Sequence, residues 1–255
     1  MFVRSSMEHG ENKMKKTTTI LLSLSVFAVC LVSAAPAALI EIDVVDARAC
    51  QKGDGTVGYG NNNGNVSRIF EGNGLTKPDA EDPTTWTHDD NWTTGWQAQG
   101  PSNLTSNRGW VIADFGAAQT NLDKIYIWNE NEKGNRGMAT INIYYATSVT
   151  LPPTSSDSAN PTDYDFSDAA WTLFNPTAAI AVPPGTSNPG SPLNATIDIS
   201  AIPIARYIAI EAVTDNGAAN DRVGLAEVVF TGVPEPATMT MLALSGLAII
   251  RKRRR

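Results

Sequence analysis

The chain has 255 residues, 42% apolar and 18% charged, with 20 glycines, 15 prolines and a formal net charge of −7. That is room for one sizeable domain with appendages, and the composition is neither collagen-like nor that of a wholly disordered chain. Charge is unevenly spread: residues 1–16 and 251–255 hold nine of the 19 basic residues, which leaves residues 39–232 with 10 basic against 23 acidic side chains. A body that acidic repels phosphate backbones and argues against nucleic acid as a partner, because affinity there comes from Lys and Arg neutralising phosphates; cations and neutral ligands remain open.

The N-terminal 38 residues read as an address. Met14-Lys15-Lys16-Thr17 is followed by a 13-residue run from Ile20 to Val32 and then by the small residues Ser33, Ala34, Ala35 and Ala37. This is the basic region, short apolar core and cleavage region of a secretory signal peptide, cut after Ala34 or Ala37, with Met14 an alternative start. The run falls short of the roughly 20 residues of a membrane span. Val29 stands before Cys30 where a lipoprotein signal needs a small residue.

Residues 39–232 form the body, and their strongest period is two. Leu39 to Arg48, Trp110 to Phe115, Leu122 to Asn129, Thr140 to Ala146, Ala195 to Ile199, Arg206 to Val213 and Val223 to Phe230 read as strands. Ile141, Ile143 and Tyr145 share one face, as a half-buried strand requires. Loops dense in Pro, Ser, Asn, Gly and Asp lie between, such as Pro152 to Asp168 and Pro183 to Pro192, and no segment reads as an amphipathic helix. Strands with turn signals and no βαβ rhythm predict an all-β fold, an antiparallel β-sandwich. One cysteine remains in the body, Cys50, so no disulfide forms within it; Cys50 reads as a small buried apolar residue rather than a reactive thiol.

Catalytic readings fare poorly. The body has a single histidine, His88, which excludes a two-histidine mechanism, and neither a nucleophile elbow nor a P-loop is present. Gly53-Asp54-Gly55-Thr56-Val57-Gly58 matches a dinucleotide fingerprint, but Tyr59-Gly60-Asn61-Asn62-Asn63-Gly64 cannot open the helix that fingerprint needs. The body is expected not to be an enzyme.

The order of pieces along the body carries a resemblance. Trp110 to Gly116 is followed by Leu122 to Asn129, then Arg136-Gly137 and Ile141 to Ala146, and later by Ala205-Arg206-Tyr207-Ile208 and Gly224-Leu225-Ala226-Glu227-Val228. This series resembles the discoidin, or coagulation factor type C, family of galactose-binding-like domains over about residues 65–232. The resemblance implies a jelly-roll sandwich whose loops at one end bind sugars, glycoproteins or lipid headgroups. It also implies a structural Ca²⁺, held by an Asp-Gly-Asn-type loop, a Thr shortly before a Trp, and an Ala-Glu pair in the last strand. Ala226 and Glu227 match the pair. Two registers compete for the rest: Glu71 and Asn73 around Gly72, or Asp89, Asn91 and Thr94 before Trp96. The alternative to a metal site is that these acids solvate loops and that Glu227 pairs with Arg206 or Arg222.

Neutral sugars pack their C–H faces on aromatic rings and need fixed polar partners for their hydroxyls. Trp86, Trp92 and Trp96 sit in a polar segment with Asn91 and Gln97 and are the candidate platform, with loop anchoring as the alternative. Asn129, Asn131 and Arg136, after the Trp128 strand, are secondary candidates; Trp110 and Trp128 read as core.

Residues 233–255 are a second address. Pro234-Glu235-Pro236 precedes an uncharged stretch to Ile250 and the cluster Arg251-Lys252-Arg253-Arg254-Arg255. The 15 uncharged residues would extend about 22 Å as a helix, short for a span, and the basic end would stay cytoplasmic. This tail resembles the PEP-CTERM sorting signal, also catalogued as the ice-binding-protein C-terminal domain, with Pro234, Glu235 and Pro236 as its motif. The resemblance implies export by a Gram-negative-type bacterium, transient anchoring in the inner membrane, processing by an exosortase, and delivery to the cell surface or exopolysaccharide matrix. Ice adhesion is set aside, since the threonines form no regular array. Two functions remain: a module that binds polysaccharide or another glycan without catalysis, and a structural surface or matrix protein with no small ligand.

Overall fold

The strands follow from runs of branched and aromatic residues whose alternate side chains can be buried on a pleated surface. The computed structural model describes residues 39–49, 66–89, 94–99, 109–130, 135–151, 164, 166–186, 190–217 and 222–233. These belong to one compact unit, Ala38–Pro234. The leader, Cys50, the glycine-rich run 53–64, Asn91, Trp92, Asn131 and the motif Pro234, Glu235 and Pro236 lie outside the described residues.

In chain order the strands are β1 (Ile40–Ile42), β2 (Asp46–Ala49), β3 (Leu75–Thr76), β4 (Thr87–His88), β5 (Trp96–Gln99), β6 (Trp110–Gln119) and β7 (Leu122–Asn129). They continue with β8 (Met138–Ala146), β9 (Thr172–Leu173), β10 (Ile180–Ala181), β11 (Ser191–Pro192), β12 (Ala195–Asp198), β13 (Ala205–Asp215) and β14 (Arg222–Gly232). The only helical turns among the described residues are two 3₁₀ segments, Val66–Phe70 and Pro83–Thr85.

One sheet runs β1-β14-β7-β12, and the other runs β10-β8-β13-β6-β2 with β9 also on β8. Along one edge of β14, β1 lies opposite Phe230–Gly232 and β5 opposite Arg222–Leu225. All strand pairs in these sheets are antiparallel. The body is thus the antiparallel β-sandwich that the alternation predicted, with the jelly-roll form that the resemblance implied. The expected strand from Leu39 to Arg48 is split, because β1 joins one sheet and β2 the other. Periodicity alone cannot show such a crossing, since both halves alternate equally well.

The core lies between the sheets. Val111 of β6, Ile125 and Ile127 of β7, Ile141 and Ile143 of β8, Ile208 and Ile210 of β13 and Phe230 of β14 are fully enclosed in one cluster. Each such side chain contributes about 1.5–3 kcal/mol by burial. Asn142, Tyr144 and Glu211 take the opposite face of the second sheet and bond one another through Glu211 Oε2. The segment around Phe166 covers that face, its ring stacked 4.8 Å from Tyr144 and edge-on to Trp110 and Trp171. A three-stranded sheet, β11-β4-β3, supplies Trp86 and its neighbours to a second cluster with Tyr126, Trp128, Ala226 and Val229.

Strand ends define two poles. Gly232, opposite both Ile40 and Leu122, marks one; Asn129, Met138, Asp215 and Leu225 gather at the other. The second, loop-bearing pole holds the candidate site.

Candidate functional site

A bulge aims the first group. Between Leu225 and Glu227 the β14–β7 register slips by one residue, so Glu227 lies opposite Trp128 and shares its outward face. Bulges turn side chains in this way and recur beside functional sites. Glu227 is fully buried there: Oε1 accepts the Gly72 N–H at 2.8 Å, Oε2 accepts no hydrogen bond, and His88 Nε2 stands 3.8 Å from Oε2. Burial pushes the carboxyl up to about 8, against the opposing pull of the Gly72 N–H and Lys77.

The two competing registers prove to be one place. Gly72 lies against Glu227, and the same turn receives the second segment, because the Asp89 N–H donates to Gly74 O at 2.8 Å. Asp89 Oδ1 in turn accepts the Thr94 hydroxyl at 3.2 Å. Of the arginine partners considered for Glu227 from sequence, Arg206 makes a bidentate pair with Asp114 at 2.9 and 3.0 Å, the Arg222 side chain lies outside the described ones, and His88 faces Glu227.

As folded, the residues do not fit calcium, which takes six to eight oxygens at about 2.3–2.6 Å. Glu71 and Asn73 are exposed and bond each other at 2.6 Å, with Ser67 on the second Glu71 oxygen. Asp89 is half-exposed, Ala226 packs in the tryptophan cluster, and an imidazole rather than an oxygen stands at Glu227 Oε2. Among the described residues no three His, Cys, Asp or Glu side chains converge as a metal cluster. Of the expected ligand set, the Glu71, Asn73, Asp89, Ala226 and Glu227 positions therefore do not converge on one ion as folded, and Asn91 lies outside the described residues. Acid and amide residue types can be read in the chain, but their convergence depends on side-chain direction.

The tryptophan platform is corrected for Trp86 and Trp96, while Trp92 lies outside the described residues. Trp86 is enclosed: its ring stacks on Trp128 with centroids 6.3 Å apart, Lys77 Nζ lies 4.1 Å over it, and its indole N–H donates to Asp79 O. Trp96 is buried in the main core. Neither offers a face to a sugar. A tryptophan in a polar loop anchors that loop as readily as it greets a ligand, and here burial of its large apolar area prevails.

Asn129 and Arg136 do come together at the loop pole, in different roles. Asn129 Oδ1 accepts the Met138 N–H at 3.0 Å and the Glu130 N–H at 3.2 Å, while Nδ2 donates to Met138 O at 2.8 Å and Pro183 O at 2.9 Å. Its amide is spent on backbone, so it positions loops rather than meeting a ligand. A Cβ at Gly137 would fall 2.3 Å from Asn129 Oδ1, so only glycine fits there. Arg136 Nη1 donates to Gln97 Oε1 at 3.4 Å, and Gln97 Nε2 donates to Glu130 Oε1 at 2.9 Å; all three side chains are buried. Glu130 was missed in the sequence because Asn129-Glu130-Asn131-Glu132-Lys133 reads as a solvated loop. A cleft between β1, β14 and the Gly72 turn holds about 110 Å³, below the roughly 300–1,000 Å³ of small-molecule sites.

The fold and this pole define a jelly-roll sandwich with a hydrogen-bonded polar set under its loops. No family model matches the chain, and no curated protein matches it. Solved structures resemble it. A family 32 carbohydrate-binding module from C. perfringens NanJ in complex with galactose is 13% identical over 76% of this chain and 98% of that one, with a TM-score of 0.43. A fucolectin from striped bass (Morone saxatilis) serum is 12% identical over 76% and 49%, with a TM-score of 0.43. Truncated AlyQ, with a family 32 module and an alginate lyase domain, is 16% identical over 79% of this chain at a TM-score of 0.42, and the match spans about a third (35%) of AlyQ. At these identities and scores the likeness adds nothing to what strand order and register establish.

Proposed function

We propose that this chain is an exported, non-catalytic carbohydrate-binding protein that takes a polysaccharide or other glycan at its loop pole. The carrying observation is the buried set Gln97, Glu130 and Arg136. Enclosing a guanidinium and a carboxylate costs several kcal/mol per ion before pairing. Fixed polar groups beneath loops are what recognition of sugar hydroxyls needs. The sorting-signal resemblance of residues 233–255 supports the rest of the reading: processing by an exosortase, transient membrane anchoring through the C-terminal segment, and a cell-surface or matrix destination. Retention of the full chain on immobilised polysaccharides tests this. Arg136→Ala is expected to weaken retention at least tenfold while the strand signature in circular dichroism persists, and unchanged retention by a folded variant refutes the assignment.

Burial of Trp86 and Trp96 favours a second reading, a structural surface or matrix protein whose sandwich is a display unit. That reading expects no saturable binding to any polysaccharide.

A further inference from the structure

We propose that the His88 imidazole takes the place of a metal ion at Glu227, so that the loop pole is braced by a side chain and needs no calcium. His88 ends β4, the middle strand of the three-stranded sheet, opposite Leu75 on one side and Ser191 on the other. Its Nδ1 meets the Asp89 carbonyl, which fixes the ring's rotation, and its Nε2 edge lies 3.8 Å from Glu227 Oε2. Gly74 closes the other flank: a Cβ there would fall 2.2 Å from Nε2 and 2.7 Å from Cε1. The ring therefore occupies the gap between the Gly72–Gly74 turn and the bulged strand. A calcium ion with its oxygen shell would need that same volume, and a hard cation gains little from an imidazole nitrogen.

The duties of a structural cation in such a place are to tie the turn to the strand and to cover a buried carboxyl. Both are met by protein groups here. The Gly72 N–H ties the turn through Oε1, and the buried imidazole covers the Oε2 side. The brace also explains Gly74, since any larger residue would drive the imidazole off Glu227.

The test is thermal unfolding of the full chain in calcium and in EDTA. A calcium site filled a hundredfold above its dissociation constant would raise the midpoint by about 5–10 °C, whereas the brace predicts a difference below about 1 °C. A midpoint that falls in EDTA and returns with calcium overturns the proposal. Glu227→Gln gives a second arm. It keeps an acceptor for Gly72 and adds an amide N–H toward His88, so its midpoint is expected within about 2 °C of wild type. A metal site would instead lose its whole calcium increment in this variant. His88→Ala, which empties the gap, is expected to lower the midpoint, and an unchanged midpoint contradicts the bracing role.

Discussion

Asn129→Ala removes the side chain on which three segments of the loop pole converge. Its amide holds the start of β8 through both backbone groups of Met138 and holds the 183–185 segment through Pro183 O, with 1% of the residue exposed. Alanine leaves these three backbone groups without that partner in a place water does not reach. An unsatisfied buried group costs about 1–3 kcal/mol, and at the low end of that range the three together cost about 3–4 kcal/mol. For a unit of this size that lowers the thermal midpoint by about 6–16 °C. Urea unfolding followed by tryptophan fluorescence measures it, since a lower midpoint at unchanged slope reports stability alone. Asn129→Asp keeps the acceptor for Met138 N–H but loses both donors and adds a buried charge, so it is expected to be no milder. A loss below about 1 kcal/mol for Asn129→Ala, at unchanged slope, would refute the view that Asn129 organises this pole.

Trp86→Ala is expected to cost about 3–5 kcal/mol by emptying the cluster with Trp128, seen as a lower urea midpoint; a stable variant that only loses glycan retention would restore the platform reading. Asp114 ties acid stability to Arg206. Burial alone would raise its carboxyl, but the Arg206 fork and the Gly116 N–H outweigh it and hold it below its ordinary 3.8. The pair's contribution is therefore complete above about pH 4 and is lost as pH falls through the lower folded value. Asp114→Asn should flatten the fall of the urea midpoint between about pH 4 and 2, and an unaltered acid profile would show the pair to be idle. Replacing Pro234, Glu235 and Pro236 by alanine is expected to redirect the protein among membrane, surface and medium fractions without moving the melting midpoint of the body.

Strand identity was legible because it is local. Leu122–Asn129 matches the expected boundaries, and the β6, β8, β13 and β14 runs extend the expected ones by a few residues at their ends. Alternation states which side chains can share a face, and a sandwich needs little else to choose its core. The same locality hid β5, a four-residue strand beside β14 that lies in a polar segment with no flanking alternation.

The residue types of the loop pole could be read from the chain, but their directions could not. Sequence alone established an acidic all-β body, an Asn at the end of the Trp128 strand, and a Glu in the last strand. Only the tertiary structure decided that Trp86 and Trp96 turn inward, that Asn129 serves backbone, and that His88 meets Glu227. The physical reason is that a one-residue bulge and the crossing of a small sheet over a large one set side-chain direction, and neither alters the composition or the period of the chain.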